Sequence, residues 1–259
     1  MGLVTVLILK RKEHLKIKII VAFVLITICF SCKKENMFDL FKSTGKIITQ
    51  KREVTGFNCI YLTDKIDLYL TQDSTFKVEV EAGSNLQSLI KTELDGETLK
   101  VHNDNRQNWV RGYKHKVKIY VSAPYFKHIN NNSVGTIQSV NTITQDLITI
   151  RTSNSGDLKL DVNTNKILSS AHGNGDIYLT GITNNLESDF TGTNFLYAKD
   201  LKILNYVYLN DVSIGHAYLT APENGLMDII IKRDGNIYYS GNPTKIVLTR
   251  IGKGNLIKE

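Results

Sequence analysis

The sequence predicts an all-β fold: a β-solenoid, a parallel β-helix-like stack of coils of about 20 residues each, with amino-terminal β-strands, after a signal peptide. Three observations carry this. Gly-Asp-apolar-x-Leu is written twice, nineteen residues apart, in SNSGDLKL at 153–160 and HGNGDIYL at 172–179. Apolar and polar residues alternate beyond residue 45, the period of a strand with one wet face. Tyr, Ile, Thr and Val are abundant, the only prolines are Pro124, Pro222 and Pro243, and long helical-period runs of Ala, Glu and Lys are absent.

The chain opens with a basic run, KRKEHLKIK, followed by twelve apolar residues, IIVAFVLITICF, and then Ser31-Cys32. That order is the n-region and h-region of a secretory signal, and the apolar run is short for a membrane span. Residues 1–31 therefore read as a lipoprotein signal peptide. Cys32 after a small residue resembles a bacterial lipobox and is the expected lipidation site. Cys29 and Phe30 stand where the usual Leu and Ala/Gly would be. An uncleaved signal anchor is the alternative. Residues 32–44 read as a tether. The preceding MGLVTVLIL fits no signal pattern and suggests a misassigned start codon.

Charge follows from this division. The first 31 residues carry Lys10, Arg11, Lys12, Lys16 and Lys18 against Glu13, which is +4 of the net +7. The remaining +3 gives no electrostatic footprint for nucleic acid. Only Cys59 remains after Cys29 and Cys32 are assigned, so no intramolecular disulfide is available. A lone cysteine on a strand reads as a small buried residue.

Residues 45–259 form one expected domain, with capping strands over about 45–125 and regular coils over about 126–259. KIITQKREV, NCIYLTDKIDLYLTQD and FKVEVEAG alternate as strands, with Val78 and Val80 on one face and Lys77, Glu79 and Glu81 on the other. SNLQSLIKTEL at 84–94 predicts a short helix capped by Ser84, with Leu86, Leu89 and Ile90 on one side. DGETLKVHND and KHKVKIYVSAP predict a strand pair joined by a long hairpin loop that carries Trp109.

Beyond Pro124, Gly156, Gly175, Gly215, Gly235 and Gly254 head similar segments, at gaps of 19, 40, 20 and 19, and Gly135 precedes them by 21. The gap of 40 holds a weaker copy, GTNFLYA, with Asn194 in the polar slot and Phe195 and Tyr197 in the apolar columns. Leu158, Ile177, Ala217, Ile237 and Leu256 form an inward column. Glycine supplies a positive φ at each corner, and the neighbouring Asp or Asn suits the same turn. Stacked coils at about 4.8 Å each bury a continuous core, so seven rise roughly 30 Å. The motif recurs because each copy turns the same corner.

These residues resemble a known family. REVTGFNCIYLTDKIDLYLTQDSTFKVEVEAGSNLQSLIKTELDGETLKVH, the VSAP at 121–124, the Gly-Asp repeats and SGNPTKIVLTRIGKGNLIK together are similar to the head GIN domain family, the auto-transporter adhesins. The resemblance covers roughly residues 50–258. It implies a β-solenoid in a secreted or lipid-anchored protein, and it brings no catalytic residues.

The histidines His102, His115, His128, His172 and His216 show no paired ligand spacing, so no metal site is expected. Asp157 and Asp176 share a column, but Asn194, His216, Asn236 and Asn255 continue it, which fits turn chemistry rather than a catalytic carboxylate pair. No nucleophile elbow or phosphate loop occurs. No cofactor is expected. Tyr178, Tyr218 and Tyr238, with Leu196 between, would form an outward stripe. Such rings either stack on sugars or a partner, or pair between rungs to hold the sheet. The expectation is a lipid-anchored outer-membrane protein of the cell envelope with a non-catalytic adhesion or binding role. Its partners would be the membrane and a glycan or protein ligand. A carbohydrate-active enzyme, a polysaccharide lyase or hydrolase, is the competing class.

Overall fold

The computed structural model describes residues 44–105 and 116–259. The signal peptide, Cys29, Cys32, nearly all of the tether, Trp109 and His115 lie outside these described residues. Nineteen strands among them join one sheet that winds as a β-solenoid of about seven turns.

Each coil contributes to two walls. The first wall stacks β3 (Ile66–Gln72), β9 (Ile137–Ser139), the start of β11 (Leu158–Gly173), the start of β12 (Ile177–Gly192), β13 (Leu196–Ala198), β15 (Ala217–Thr220), β17 (Ile237–Ser240) and β19 (Leu256–Lys258), all in parallel. The second stacks β2 (Cys59–Asp64), β8 (His128–Ser133), the end of β10 (Ile143–Thr152), the ends of β11 and β12, β14 (Leu201–Ser213), β16 (Leu226–Ile231) and β18 (Lys245–Arg250). The expected inward column is continuous: Leu158 pairs with Ile177, Ile177 with Leu196, Leu196 with Ala217, Ala217 with Ile237, and Ile237 with Leu256. All but Leu256 are buried, and it packs on the same core. Burying such a column offsets the entropy of ordering each coil.

The amino-terminal strands close one end. The coil β2–β3 lies between the coil of β8–β9 and that of β6 (Thr98–Asn103) and β7 (Val117–Ala123). Beyond it the stacking turns antiparallel. β4 (Lys77–Gly83) runs against β7, β1 (Ile47–Arg52) against β4, and β5 (Ile90–Asp95) against β6. Val78 and Val80 are buried as expected.

Several expectations fail here. β6 and β7 do not form a hairpin; they are the two walls of one coil, each paired to other strands. The helix expected at 84–94 is only a 3-10 turn, Gln87–Leu89, with no side-chain cap, after which Ile90 enters β5. Tertiary bonding overrides the local pattern. Gln87 is buried, and its Nε2 donates to the carbonyls of Ile48 and Val80, both at 3.0 Å, tying the turn to β1 and β4. Cys59 is half-buried on the outer face of β2, while Ile60 takes the core position.

The corner glycines also differ from expectation. None of Gly135, Gly156, Gly175, Gly215, Gly235 or Gly254 has positive φ. Space is the constraint instead. A Cβ on Gly156 would sit 2.1 Å from the carbonyl oxygen of Gly135, one on Gly175 2.2 Å from that of Gly156, and one on Gly254 1.9 Å from that of Gly235. The weak copy is also reset by one residue: Asn194 takes the glycine slot, Phe195 the polar slot, Leu196 the inward column and Tyr197 the outward one. The corner spacing therefore becomes 21, 19, 19, 21, 20 and 19 from Gly135 onward.

Inside two of the corners a side chain four residues before the glycine donates to the glycine carbonyl. Asn131 Nδ2 donates to the carbonyl of Gly135 at 3.0 Å, and Thr152 Oγ1 to that of Gly156 at 2.8 Å. Asp211 stands at the equivalent place, four residues before Gly215. Its Oδ2 lies 2.8 Å from a Cβ built on Gly235, matching Asn131 Nδ2 at 2.8 Å beside Gly156 and Thr152 Oγ1 at 2.7 Å beside Gly175. Asn131 and Thr152 put a donor at that place, and Ala171, Phe190 and Ile231 put an apolar side chain there at other corners; a carboxylate supplies a donor only when protonated. Asp211 Oδ1 already accepts the Ser213 amide at 2.8 Å, while Oδ2 has no partner. Burial pushes the Asp211 carboxyl up to about 6, against the pull of the Ser213 amide.

Gly215→Ala would drive a Cβ to 1.9 Å from the Asn194 carbonyl oxygen. Its unfolding free energy in urea should fall by roughly 3 kcal/mol or more. Asp211 has a raised folded pKa, so its protonated form stabilises the fold below the usual carboxyl pKa. That contribution is lost as pH rises through about 6. Asp211→Asn supplies a permanent donor. It should stabilise the protein at pH 7.5 by on the order of 2 kcal/mol and change little at pH 4, in thermal melts at both pH values.

Candidate functional site

The outward column of the first wall is the most organised surface of the molecule. Register places Tyr120 beside Tyr69, then Gln138, Lys159, Tyr178, Tyr197, Tyr218, Tyr238 and Ile257 in successive rungs. The structure brings Tyr178, Tyr218 and Tyr238 into one line, but Leu196 is not between them. Leu196 is buried in the inward column, and Tyr197 completes the ladder. The sequence signal for Tyr197 was the weak copy itself. Aligning it on Asn194 as the glycine equivalent restores the column.

The rings are parallel. Tyr178 and Tyr197 stack with centroids 4.6 Å apart at 13°, Tyr197 and Tyr218 at 5.5 Å and 6°, and Tyr218 and Tyr238 at 5.0 Å and 9°. Lys159 Nζ covers the lower face of the stack, 4.8 Å from the Tyr178 centroid, and Lys199 Nζ lies 5.3 Å from that of Tyr218. A separate pair, Tyr69 and Tyr120, stacks at 5.1 Å on the amino-terminal coils, and Tyr120 donates to Glu81 at 3.0 Å. The rungs set the ring spacing, so the rings occupy one another's faces. Edges and hydroxyls are what remain for solvent.

Beside the ladder runs a groove of ≈ 430 Å³ lined by Tyr178, Thr180, Tyr197, Lys199, Asp200 and Tyr218. It combines ring edges with hydroxyl, ammonium and carboxylate groups. Burial first, then the charges of Asp176 and Asp157, push the Tyr178 phenol up to about 12, so it stays a neutral donor over the ordinary pH range.

The polar column next to it holds the corners. The Asp157 carboxylate accepts the amide of Asp176 at 3.1 Å, and that of Asp176 accepts the amide of Phe195 at 2.8 Å. His216 Nδ1 accepts the amide of Asn236 at 3.0 Å, and Asn236 Oδ1 accepts that of Asn255 at 2.9 Å. Each acceptor satisfies a corner amide one coil up, which is why Asp, Asn or His follows the glycine. Burial, then the nearby Asp157, raises the Asp176 carboxyl, while the Phe195 amide and the Tyr178 hydroxyl oppose the shift. These carboxylates are committed to backbone bonds. His172 sits apart on the second wall, 2.8 Å from Thr191 Oγ1. Among the described residues no group of three or more His, Cys, Asp or Glu could hold a metal ion.

Residues 56–243 match the family described as "Putative auto-transporter adhesin, head GIN domain". That is well over half of the chain, and the chain belongs to this family. Its adhesin description carries an adhesion or binding role, and a place at the cell envelope or surface. No curated protein sequence matches the chain. Its fold is shared with a crystal structure named a putative adhesin from Bacteroides fragilis, at 24% identity and a TM-score of 0.76, over 83% of this chain and 97% of that one. A structure named a putative adhesin from Parabacteroides distasonis matches at 20% identity and 0.63, over 83% of this chain and 98% of that one. Another from the same organism, named a putative lipid binding protein, matches at 17% and 0.61, over 84% and 98%.

Proposed function

We propose that this protein is a non-catalytic adhesin-type binder of the cell envelope, held to the outer membrane through a lipid on Cys32, with the tyrosine ladder and its groove as the ligand face. The observation that carries the ligand face is the four-ring stack of Tyr178, Tyr197, Tyr218 and Tyr238 beside the open groove. Structural rung pairing alone explains the stacking; it does not explain why a groove with Thr180, Lys199 and Asp200 lies alongside. Ring edges and phenolic hydroxyls along an extended line, with Lys199 (itself ion-paired to Glu259) and Asp200 beside them, suit a polyhydroxylated chain, which offers both C–H surface and hydroxyls. An extended glycan is that ligand class. The adhesin names of the structural neighbours support the same reading, and the acids at the corners, engaged by backbone amides, give a hydrolase or lyase no carboxylate pair to use.

Tyr197→Ala with Tyr218→Ala should reduce retention on a glycan array at least tenfold while circular dichroism keeps its β signature. Unchanged retention by the folded variant removes the ladder as a ligand face. In cells fed a palmitate analogue, the wild-type chain should take the label and Cys32→Ala should not; an unlabelled wild type ends the anchor.

A further inference from the structure

We propose that the carboxy-terminal end of the solenoid is a docking edge for an extended acidic strand of another protein, which would add as the next rung over β18. Among the described residues β18 pairs on one side only, with β16. The amide of Ile251 donates to Ile231 at 2.8 Å, and alternate residues of a parallel strand bond to the same neighbour. The backbone groups of Ile246, Leu248 and Arg250 therefore face the open edge. Register places Ile246 over Met227 and Leu248 over Ile229, both core residues, yet Ile246 and Leu248 are 38% and 46% exposed, and Ile251 is 72% exposed.

Charge selects the occupant. Between Gly235 and Lys258 there is no Asp or Glu, while Lys245, Arg250, Lys253 and Lys258 lie in that stretch. Arg250 continues the column of buried Ile231, and Lys258 that of buried Tyr239. Each copy of the edge carries Lys245 and Arg250 and, within the strand, no acid, so two copies brought together would set cation against cation. The amino-terminal edge strand is no better, with Lys51 and Arg52 exposed or half-exposed on β1. A strand with acids at its ends and apolar residues between complements the edge in parallel register. Glutamates would lie over Lys245 and Arg250, and two apolar side chains would cover Ile246 and Leu248. This is β-augmentation, with backbone bonds supplying affinity and the flanking charges supplying choice.

The probe is a fluorescent peptide with the core Glu-Val-Thr-Val-Thr-Glu, compared with its Lys-Val-Thr-Val-Thr-Lys counterpart by anisotropy in low salt. The acidic peptide should bind at least tenfold more tightly. Lys245→Glu combined with Arg250→Glu, both exposed positions, should reverse that preference. Leu248→Pro, which removes an edge-facing amide and leaves the bonds to β16, should abolish binding of both peptides, with the thermal melt checking its fold. Equal binding of the two peptides, or a charge swap that leaves the preference standing, overturns the proposal. Sedimentation showing a dimer through this edge, or capture by anionic vesicles without peptide binding, does the same.

Discussion

At every glycine corner from Gly135 to Gly254, Asn194 being the exception, the backbone of one coil lies against a carbonyl of the coil beneath, with no room for a side-chain carbon. Register, core and surface all follow from that close approach. It lets consecutive coils stack at strand spacing through the turn as well as along the walls, so residues at one place in each coil fall into columns. Inward columns become a ladder of Leu, Ile and Val. Outward ones become ladders of like side chains, of which the tyrosines are the longest aromatic run. A shift of one residue would exchange the two, which is why register is held so firmly here.

The polar groups at the corners obey the same geometry. A turn leaves amides and carbonyls that no strand ladder collects, and buried ones must be satisfied. On the outside of the corner, side-chain acceptors such as Asp157, Asp176 and Asn236 each take an amide from the rung above. On the inside, donors such as Asn131 and Thr152 take the glycine carbonyls. Asp211 departs from that pattern, and its raised pKa is the electrostatic expression of a buried acid standing where Asn131 and Thr152 supply donors.

The two ends of the stack are managed differently. At the amino-terminal end the chain doubles back in antiparallel strands, and Gln87 pins the turn that lets it do so. At the other end the last rung ends with exposed Ile246, Leu248 and Ile251 among cations. The tyrosine ladder lies on the wall between, well separated along the chain from the capping strands. Ligand face and strand-accepting edge are thus distinct surfaces of one scaffold, as expected where stacking supplies rigidity and side-chain columns supply chemistry.

Much of this was legible in the amino-acid sequence. Recurring Gly-Asp segments and their spacing reveal the stacked coils, and alternation reveals which face of Val78 to Val80 is dry, because both are local periodicities. The three tyrosines Tyr178, Tyr218 and Tyr238 were visible as a column for the same reason. What needed the tertiary structure were quantities set between coils. Asn194 was recognisable as a glycine substitute only once Ile177 was seen against Leu196, and only then did Tyr197 enter the ladder. The glycines looked like a backbone-angle requirement, but their neighbours one coil away impose a steric one. Residues 84–94 carry a helical pattern that distant partners on β1, β4 and β6 override. Sequence spacing determined that there are rungs; contact between rungs decided what each residue in them is for.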